Sequence, residues 1–155
     1  MMAVPILPND TAKEVFDKVL VVAELVLHRA IPLLLAGTAH HTLMVLSQGS
    51  YFSGQNAEDG RVDRGIATLQ IYNLVRAVTR PYPGAFADTQ KGRLVVWRTI
   101  LCDDDVQNIM TGSALFMWNK KLYIWTGHGG MLRALDIELN GETLISIDET
   151  MTLSS

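Results

Sequence analysis

The chain has 155 residues, 48% hydrophobic and 19% charged, with a net charge of −3 and a pI near 5.7. This composition suits one ordinary globular domain or two small ones with much burial, and it lacks the basic excess that nucleic-acid binding normally leaves on a surface. A single cysteine, Cys102, excludes an internal disulfide and fits a reducing compartment, and Met1-Met2-Ala3-Val4-Pro5 lacks the charged start and long apolar run of a secretory signal.

Ala3 to Leu7 reads as a short extended piece, and Pro5 within it removes a ladder donor, so it should sit at a sheet edge or a strand end. Thr11 and Glu14 then make an S/T-x-x-E capping box, with Asp10 adding negative charge near the helix start. The helix after this box is apolar on nearly every side, through Phe16, Val19, Leu20, Val22, Ala23, Val26 and Leu27, which predicts cover from several directions. Glu24, His28, Arg29 and Pro32 interrupt it far short of the ~20 clean apolar residues of a membrane span. Pro32 should kink or end the helix, and Gly37 should cap the residues after it.

Residues 38 to 64 carry no clear period and read as a linker. His40 and His41 are neighbours whose side chains point apart, with no Cys or carboxylate at ligand spacing, so they read as solvated rather than metal-binding. Tyr51 and Phe52 sit between Gly49 and Gly54, where they either anchor the linker or stack on a base. Next, Ile71, Leu74, Val75 and Val78 form the apolar stripe of a helix that must stop near Thr79 or Arg80, because Pro81 disfavours helical geometry before it. Asn73 and Arg76 lie off that stripe and three apart, so both can reach one neighbour outside the core. Pro81-Tyr82-Pro83-Gly84 then makes a stiff turn carrying a ring.

From Arg93 to Ile100 the chain is β-branched and aromatic, as a pleated surface requires. Asp103-Asp104-Asp105 reads as a solvated loop rather than a cation site. Ala114–Trp118 and Leu122–Trp125 predict a hairpin turning at Asn119-Lys120, and Gly127-His128-Gly129-Gly130 a glycine-dependent turn. Leu135, Ile137 and Leu139 alternate with Asp136 and Glu138, one face in and one out. Asn140-Gly141 is a strong hairpin signal leading into residues 142–147.

The wording from Ile71 to Phe86, I-x-N-L-x-R-A-x-x-x-P-x-P-G-A-F, preceded by Ala57-Glu-Asp-Gly-Arg-Val-Asp63, resembles the hinge region of the folate-dependent formyltransferases. Residues 3–12, 15–19 and 49–54 look closer to the sugar-nucleotide branch, of the UDP-4-amino-4-deoxy-L-arabinose type, than to the methionyl-tRNA branch. The resemblance implies an α+β chain in three parts. Residues 1–43 would be an edge strand and long helix from the end of a Rossmann-like catalytic domain, 44–64 a linker, and 65–155 a linker helix with a small antiparallel OB-like barrel. The family's catalytic Asn, His and Asp lie upstream of the matched region and map onto no residue here. The chain is therefore expected to be inactive alone and to bind no cofactor by itself, 10-formyltetrahydrofolate being the donor of the full-length family.

The same resemblance, with the side-chain geometry above, assigns Asn73 and Arg76 to polar contacts with a UDP-amino-sugar nucleotide. It gives Tyr51 or Tyr82 stacking or wall contacts, and the Pro83-Gly84 turn the shaping of the pocket. The expected protein partner is a catalytic amino-terminal half, or a second copy, docking on the helix of residues 11–36 in the cytoplasm, with no membrane involved. The alternative is an RNA-binding or interaction module as in the tRNA branch, using Trp97, Trp118, Tyr123 and Trp125 with Arg93, Arg98, Lys120, Lys121 and Arg133.

Overall fold

The structure, a computed structural model, describes residues 2–54, 56–63, 65–102, 114–118, 121–126 and 130–144. The Asp103–Asp105 trio, the Asn119-Lys120 turn, residues 127–129 and the end of the final predicted strand, 145–147, lie outside the described residues. The chain divides into two compact units, Met1–Gln55 and Asn56–Ser155.

In the first unit, helix α1 (Ala12–Leu35) opens with the predicted capping box: the Glu14 N–H donates to Thr11 Oγ1, and the Thr11 N–H donates to Glu14 Oε2. Pro32 does not end the helix. It removes one donor, but its carbonyl still accepts from the Ala36 N–H at 3.0 Å, and the helix completes another turn. Termination falls to Gly37, whose φ of +66° allows the Gly37 and Thr38 N–H groups to turn back onto the carbonyls of Leu34 and Leu33.

One expectation for this unit is corrected. Ala3–Leu7 joins no strand among the described residues; the Leu7 N–H instead donates to Asp10 Oδ2 at 2.6 Å and the Asp10 N–H to the Leu7 carbonyl, a local turn in place of a ladder. Asp10 also pairs with Lys18, locking this turn to the helix. Helix α1 buries no residue, with Phe16 56% exposed, so the cover that its apolar arc calls for is not supplied by the described residues. A helix needs a partner surface to cover its apolar arc, and residues 38–54 supply only a short 3₁₀ turn at Leu46–Gln48 among exposed chain.

The second unit is α+β. Helix α2 (Thr68–Val78) is followed by strands β1 (Ala85–Thr89), β2 (Gly92–Cys102), β3 (Ala114–Trp118), β4 (Lys121–Trp125), β5 (Met131–Leu139) and the short β6 (Glu142–Thr143). Expected at 71–78, the helix begins three residues earlier, its Gln70 side chain accepting from the Ala67 N–H, and stops at Val78 as Pro81 requires. Its buried stripe is Ile71, Tyr72, Val75 and Val78, with Leu74 half-buried.

The sheet order is β1-β2-β5-β4-β3, with β6 pairing the end of β5, and every pairing is antiparallel. Since β3, β4 and β5 run as a meander while β2 lies beside β5, the strands form a Greek key. The expected OB-like barrel is not closed: among the described residues β1 and β3 remain outer strands of an open sheet. Strand β1 is not separable from the turn before it in the sequence, because Pro83-Gly84-Ala85-Phe86 carries no alternation.

Alternation on β5 also fails in an instructive way. Its pattern points Leu135 inward with Ile137 and Leu139, yet Leu135 is 41% exposed. The register runs Val96↔Ile137, Arg98↔Asp136, Thr99↔Ala134, so Trp97 on β2 and Leu135 on β5 are extra residues in their strands. These bulges invert the pleat phase, and Leu132 and Ala134 face the core on one side of the irregularity, Ile137 and Leu139 on the other.

The core packs α2 against one face of the sheet: Ile71, Val75 and Val78 meet Leu94, Val96, Leu115, Leu132 and Ile137. One buried polar group works inside it. Thr126 Oγ1 donates to the Gly130 carbonyl at 3.0 Å and lies 2.6 Å from Thr68 Oγ1, so the proton between the two threonines comes from Thr68. This joins the first turn of α2 to the end of β4. At the opposite end Asn140, at φ +53°, forms the predicted Asn-Gly turn, and its side chain bonds the Lys91 carbonyl and the Arg93 N–H. Gly92, at φ +120°, leaves the room that side chain needs, since a Cβ there would collide with the Asn140 amide.

The 3₁₀ segment Ala57–Gly60 is attached to the sheet by Arg61. Its guanidinium pairs with Glu58 and Asp88 and lies 4.8 Å from the buried Phe86 ring; Arg93 lies 4.2 Å from the same ring and also pairs with Asp88. Hydrogen bonds from Arg61 and then Arg93 hold the Asp88 carboxyl below its ordinary value of 3.8.

Two measurements check these contacts. Thr126→Val keeps the volume but strands the Thr68 hydroxyl and the Gly130 N–H, which donates to Thr126 Oγ1 at 3.3 Å, and should lower the unfolding free energy by about 1–3 kcal/mol in urea titration. Asp88 has a lowered folded pKa, so its contribution is present above the ordinary aspartate range and is lost as the pH falls beneath it. The Tm of Asp88→Asn should lie below that of the wild type near neutrality, and the two should converge as the pH drops below about 3.8.

Candidate functional site: the helix α2 edge and its turn

Helix α2 fixes the first two predicted site residues. With Ile71, Tyr72, Val75 and Val78 buried, Asn73 and Arg76 emerge half-buried beside the stripe, one turn apart. They meet: Arg76 Nε donates to Asn73 Oδ1 at 2.8 Å. The Arg76 guanidinium also lies 5.9 Å from the Tyr72 ring centroid, so a hydrogen bond and a ring face together hold its plane.

After Val78 the chain folds back. The Tyr82 N–H donates to the Thr79 carbonyl at 3.1 Å, the Gly84 N–H to the Val78 carbonyl at 2.9 Å, and the Arg80–Pro81 peptide is cis. Gly84, at φ +88°, lies so close to the sheet that a Cβ would stand 2.5 Å from Val95 Cγ1 and 2.9 Å from the Trp97 ring. Between these fixed points Tyr82 is 42% exposed and Pro83 is exposed. Asn73, Arg76, Tyr82, Pro83 and Gly84 therefore occupy one continuous helix–turn segment. Tyr51 belongs to the first unit, where its ring is 93% exposed.

One group here has no counterpart in the sequence reading. The Arg80 guanidinium pairs with Asp136 at 2.7 Å and with Glu138, and sits 4.2 Å from the centroid of Trp97. The Asp136 hydrogen bond comes first among the causes that raise its pKa above the ordinary arginine value. The partners are 56 and 58 residues away in sequence, so no local spacing shows them. The available signal is the i, i+2 placement of Asp136 and Glu138, which puts two carboxylates on one face of β5 within reach of one guanidinium. The indole Nε1 of Trp97, beneath Arg80, is buried without a hydrogen-bond partner.

Other candidates resolve differently. Tyr123 and Trp125 are buried, and Phe116 stacks on Tyr123 at 5.7 Å, so these rings pack a second small cluster with Met131 rather than forming a platform for bases. Trp118 is the exposed ring of the set, at 45%, and Arg93 is engaged with Asp88 and Phe86. His40 and His41 are exposed, and among the described residues no group of His, Cys, Asp and Glu could hold a metal ion. A cavity of about 30 Å³ between α2 and the sheet is lined by Val75, Leu115, Ile124 and other core side chains. It has room for a water-sized molecule, against the several hundred Å³ of a ligand pocket. Among the described residues no helix is long and apolar enough to cross a membrane.

Comparison with known proteins bears on this segment directly. Among solved structures, a multiply substituted variant of HypX from Aquifex aeolicus is similar, with a TM-score of 0.57 and 16% identity over 88% of this chain and 24% of that chain. At that identity the likeness speaks for the fold, and the present chain spans about a quarter of the length of its neighbour. Residues 56–154 match the family described as formyl transferase, C-terminal domain, a match that starts where the second unit starts and takes in α2, the turn and the whole sheet. The chain thus belongs to the formyl transferase C-terminal domain family.

Proposed function

We propose that this chain is the carboxy-terminal portion of a 10-formyltetrahydrofolate-dependent N-formyltransferase of the sugar-nucleotide type, acting in the cytoplasm on a UDP-amino sugar such as UDP-4-amino-4-deoxy-L-arabinose. Its helix α2 and the turn after it form one edge of the nucleotide site. The observation that carries this reading is the Asn73–Arg76 pair, hydrogen-bonded, half-buried and stacked beside Tyr72, next in sequence to a rigid turn that exposes Tyr82. A nucleoside diphosphate offers oxyanions and a uracil edge to such donors, and a flat base to the tyrosine ring.

Formyl transfer to an amine also needs a base to take the amine proton and donors for the developing oxyanion. On this reading those groups and the folate pocket belong to the family's catalytic segment, and this chain contributes on the acceptor side. Membership of a C-terminal domain family supports that division. So does α1, whose open apolar arc suits the outer layer of a Rossmann-like catalytic domain supplied by residues other than those of this chain. The open antiparallel sheet would then serve as the OB-like module of the full-length family.

Calorimetric titration with UDP tests the reading. The Asn73→Ala, Arg76→Ala double variant should bind about tenfold more weakly or worse, as expected when a charged hydrogen-bonding group of ~1.5–3 kcal/mol is removed. Undiminished affinity in that variant would sink the assignment of these two residues. Formyl transfer should appear only when the chain is mixed with a catalytic half from a full-length relative; turnover by the chain alone would show that the catalytic groups were misplaced.

A further inference from the structure

The turn that carries Tyr82 is held at both ends against the sheet, and the nucleotide reading leaves one of the holding groups, Arg80, without a role. At one end Gly84 is pressed against β2, with no space for even a methyl group beside Trp97. At the other, the Arg80 guanidinium sits over the same Trp97 ring, 4.2 Å from its centroid, and reaches across to Asp136 and Glu138 on β5. The guanidinium therefore bridges the Trp97 ring of β2 and two carboxylates of β5, while Arg80 itself is adjacent in the chain to the Pro81-Tyr82-Pro83 run. Between Arg80 and Gly84 the prolines allow little backbone freedom, so the direction of the Tyr82 ring depends on where the two ends are fastened.

We propose that Arg80 is a positioning residue for the ligand edge: by clasping Trp97, Asp136 and Glu138 it fixes the turn on the sheet and so orders the Tyr82 ring before a nucleotide base arrives. This rests on the nucleotide reading of α2 and its turn, and deepens it. An aromatic wall that is already ordered loses less freedom on binding, and that saving is what Arg80 supplies. The clasp stands at the surface, where exposed ion pairs contribute modestly to stability, so its loss should show in ligand affinity and ring order more than in unfolding.

A double-mutant cycle with UDP as the probe decides it. Arg80→Ala should weaken UDP binding about fivefold, as expected when one mobile side chain must be ordered on binding. Arg80→Lys, which keeps charge without the planar fork, should recover part of that loss. Tyr82→Ala should weaken binding too, and the Arg80→Ala, Tyr82→Ala double variant should bind like Tyr82→Ala alone, because each removes the same contribution. Strictly additive losses, or unchanged affinity in Arg80→Ala, would overturn the proposal while leaving the nucleotide reading intact. Absence of UDP binding in the wild type would remove that reading itself. In that event the NMR signals of the Tyr82 ring still decide the anchoring: one ordered set in wild type and an averaged set in Arg80→Ala support it, and identical signals refute it.

Discussion

Everything in the second unit depends on one contact, the burial of the apolar stripe of α2 across the face of the sheet. Ile71, Val75 and Val78 meet Leu94, Val96 and Ile137, and this packing decides which sides of the helix remain at the surface. Asn73 and Arg76 lie half-buried at the edge because their neighbours fill the buried stripe. The Thr68–Thr126 bond sets where the helix begins on the sheet, and the fold-back of Tyr82 and Gly84 sets where it leaves. An eleven-residue helix is marginal in water by itself, so its position is a property of the sheet beneath it.

The proposed function depends on that placement. Formyl transfer divides into handling of the donor and reaction centre, and recognition of the acceptor. The family to which the chain belongs is a C-terminal domain family, and α2 and its turn gather an amide, a guanidinium, a ring and a stiff backbone, the set on which the proposed recognition of an acceptor rests. Nothing in that set resembles a proton-transfer pair. Arg61 and Arg93, the other conspicuous cations, clamp Phe86 and share Asp88, which makes them fasteners of the fold.

Much of this is legible in the sequence, and the parts that are not share a cause. Local devices read correctly: the Thr11–Glu14 box, the α2 stripe and its stop before Pro81, the β3–β4 hairpin, and the Asn140-Gly141 turn. Each is encoded within a few residues. What escapes is set across the sheet. The bulges at Trp97 and Leu135 appear only in the pairing of two strands, and they undo an alternation that looks clear along one of them. The Arg80 clasp joins partners more than fifty residues apart. The open sheet and the unpaired Ala3–Leu7 are failures of the same type, because closure and strand formation both require a neighbour that a single segment does not announce. Of the site, the Asn73–Arg76 meeting is implied by helical spacing, whereas the rigidity of the Tyr82 turn depends on Gly84 touching β2.

The Asn140 side chain has a consequence for how this sheet opens. It grips the Lys91 carbonyl and the Arg93 N–H, tying the tip of the β5–β6 hairpin to the tip of the β1–β2 hairpin. Hairpin tips are ordinarily where sheets fray, one at a time and at small cost. Here neither tip can peel away without breaking bonds to the other, so fraying at that end becomes a joint event. Amide protons on both hairpins should then exchange as one cooperative unit, and the pace of that opening is set by one asparagine in a left-handed turn.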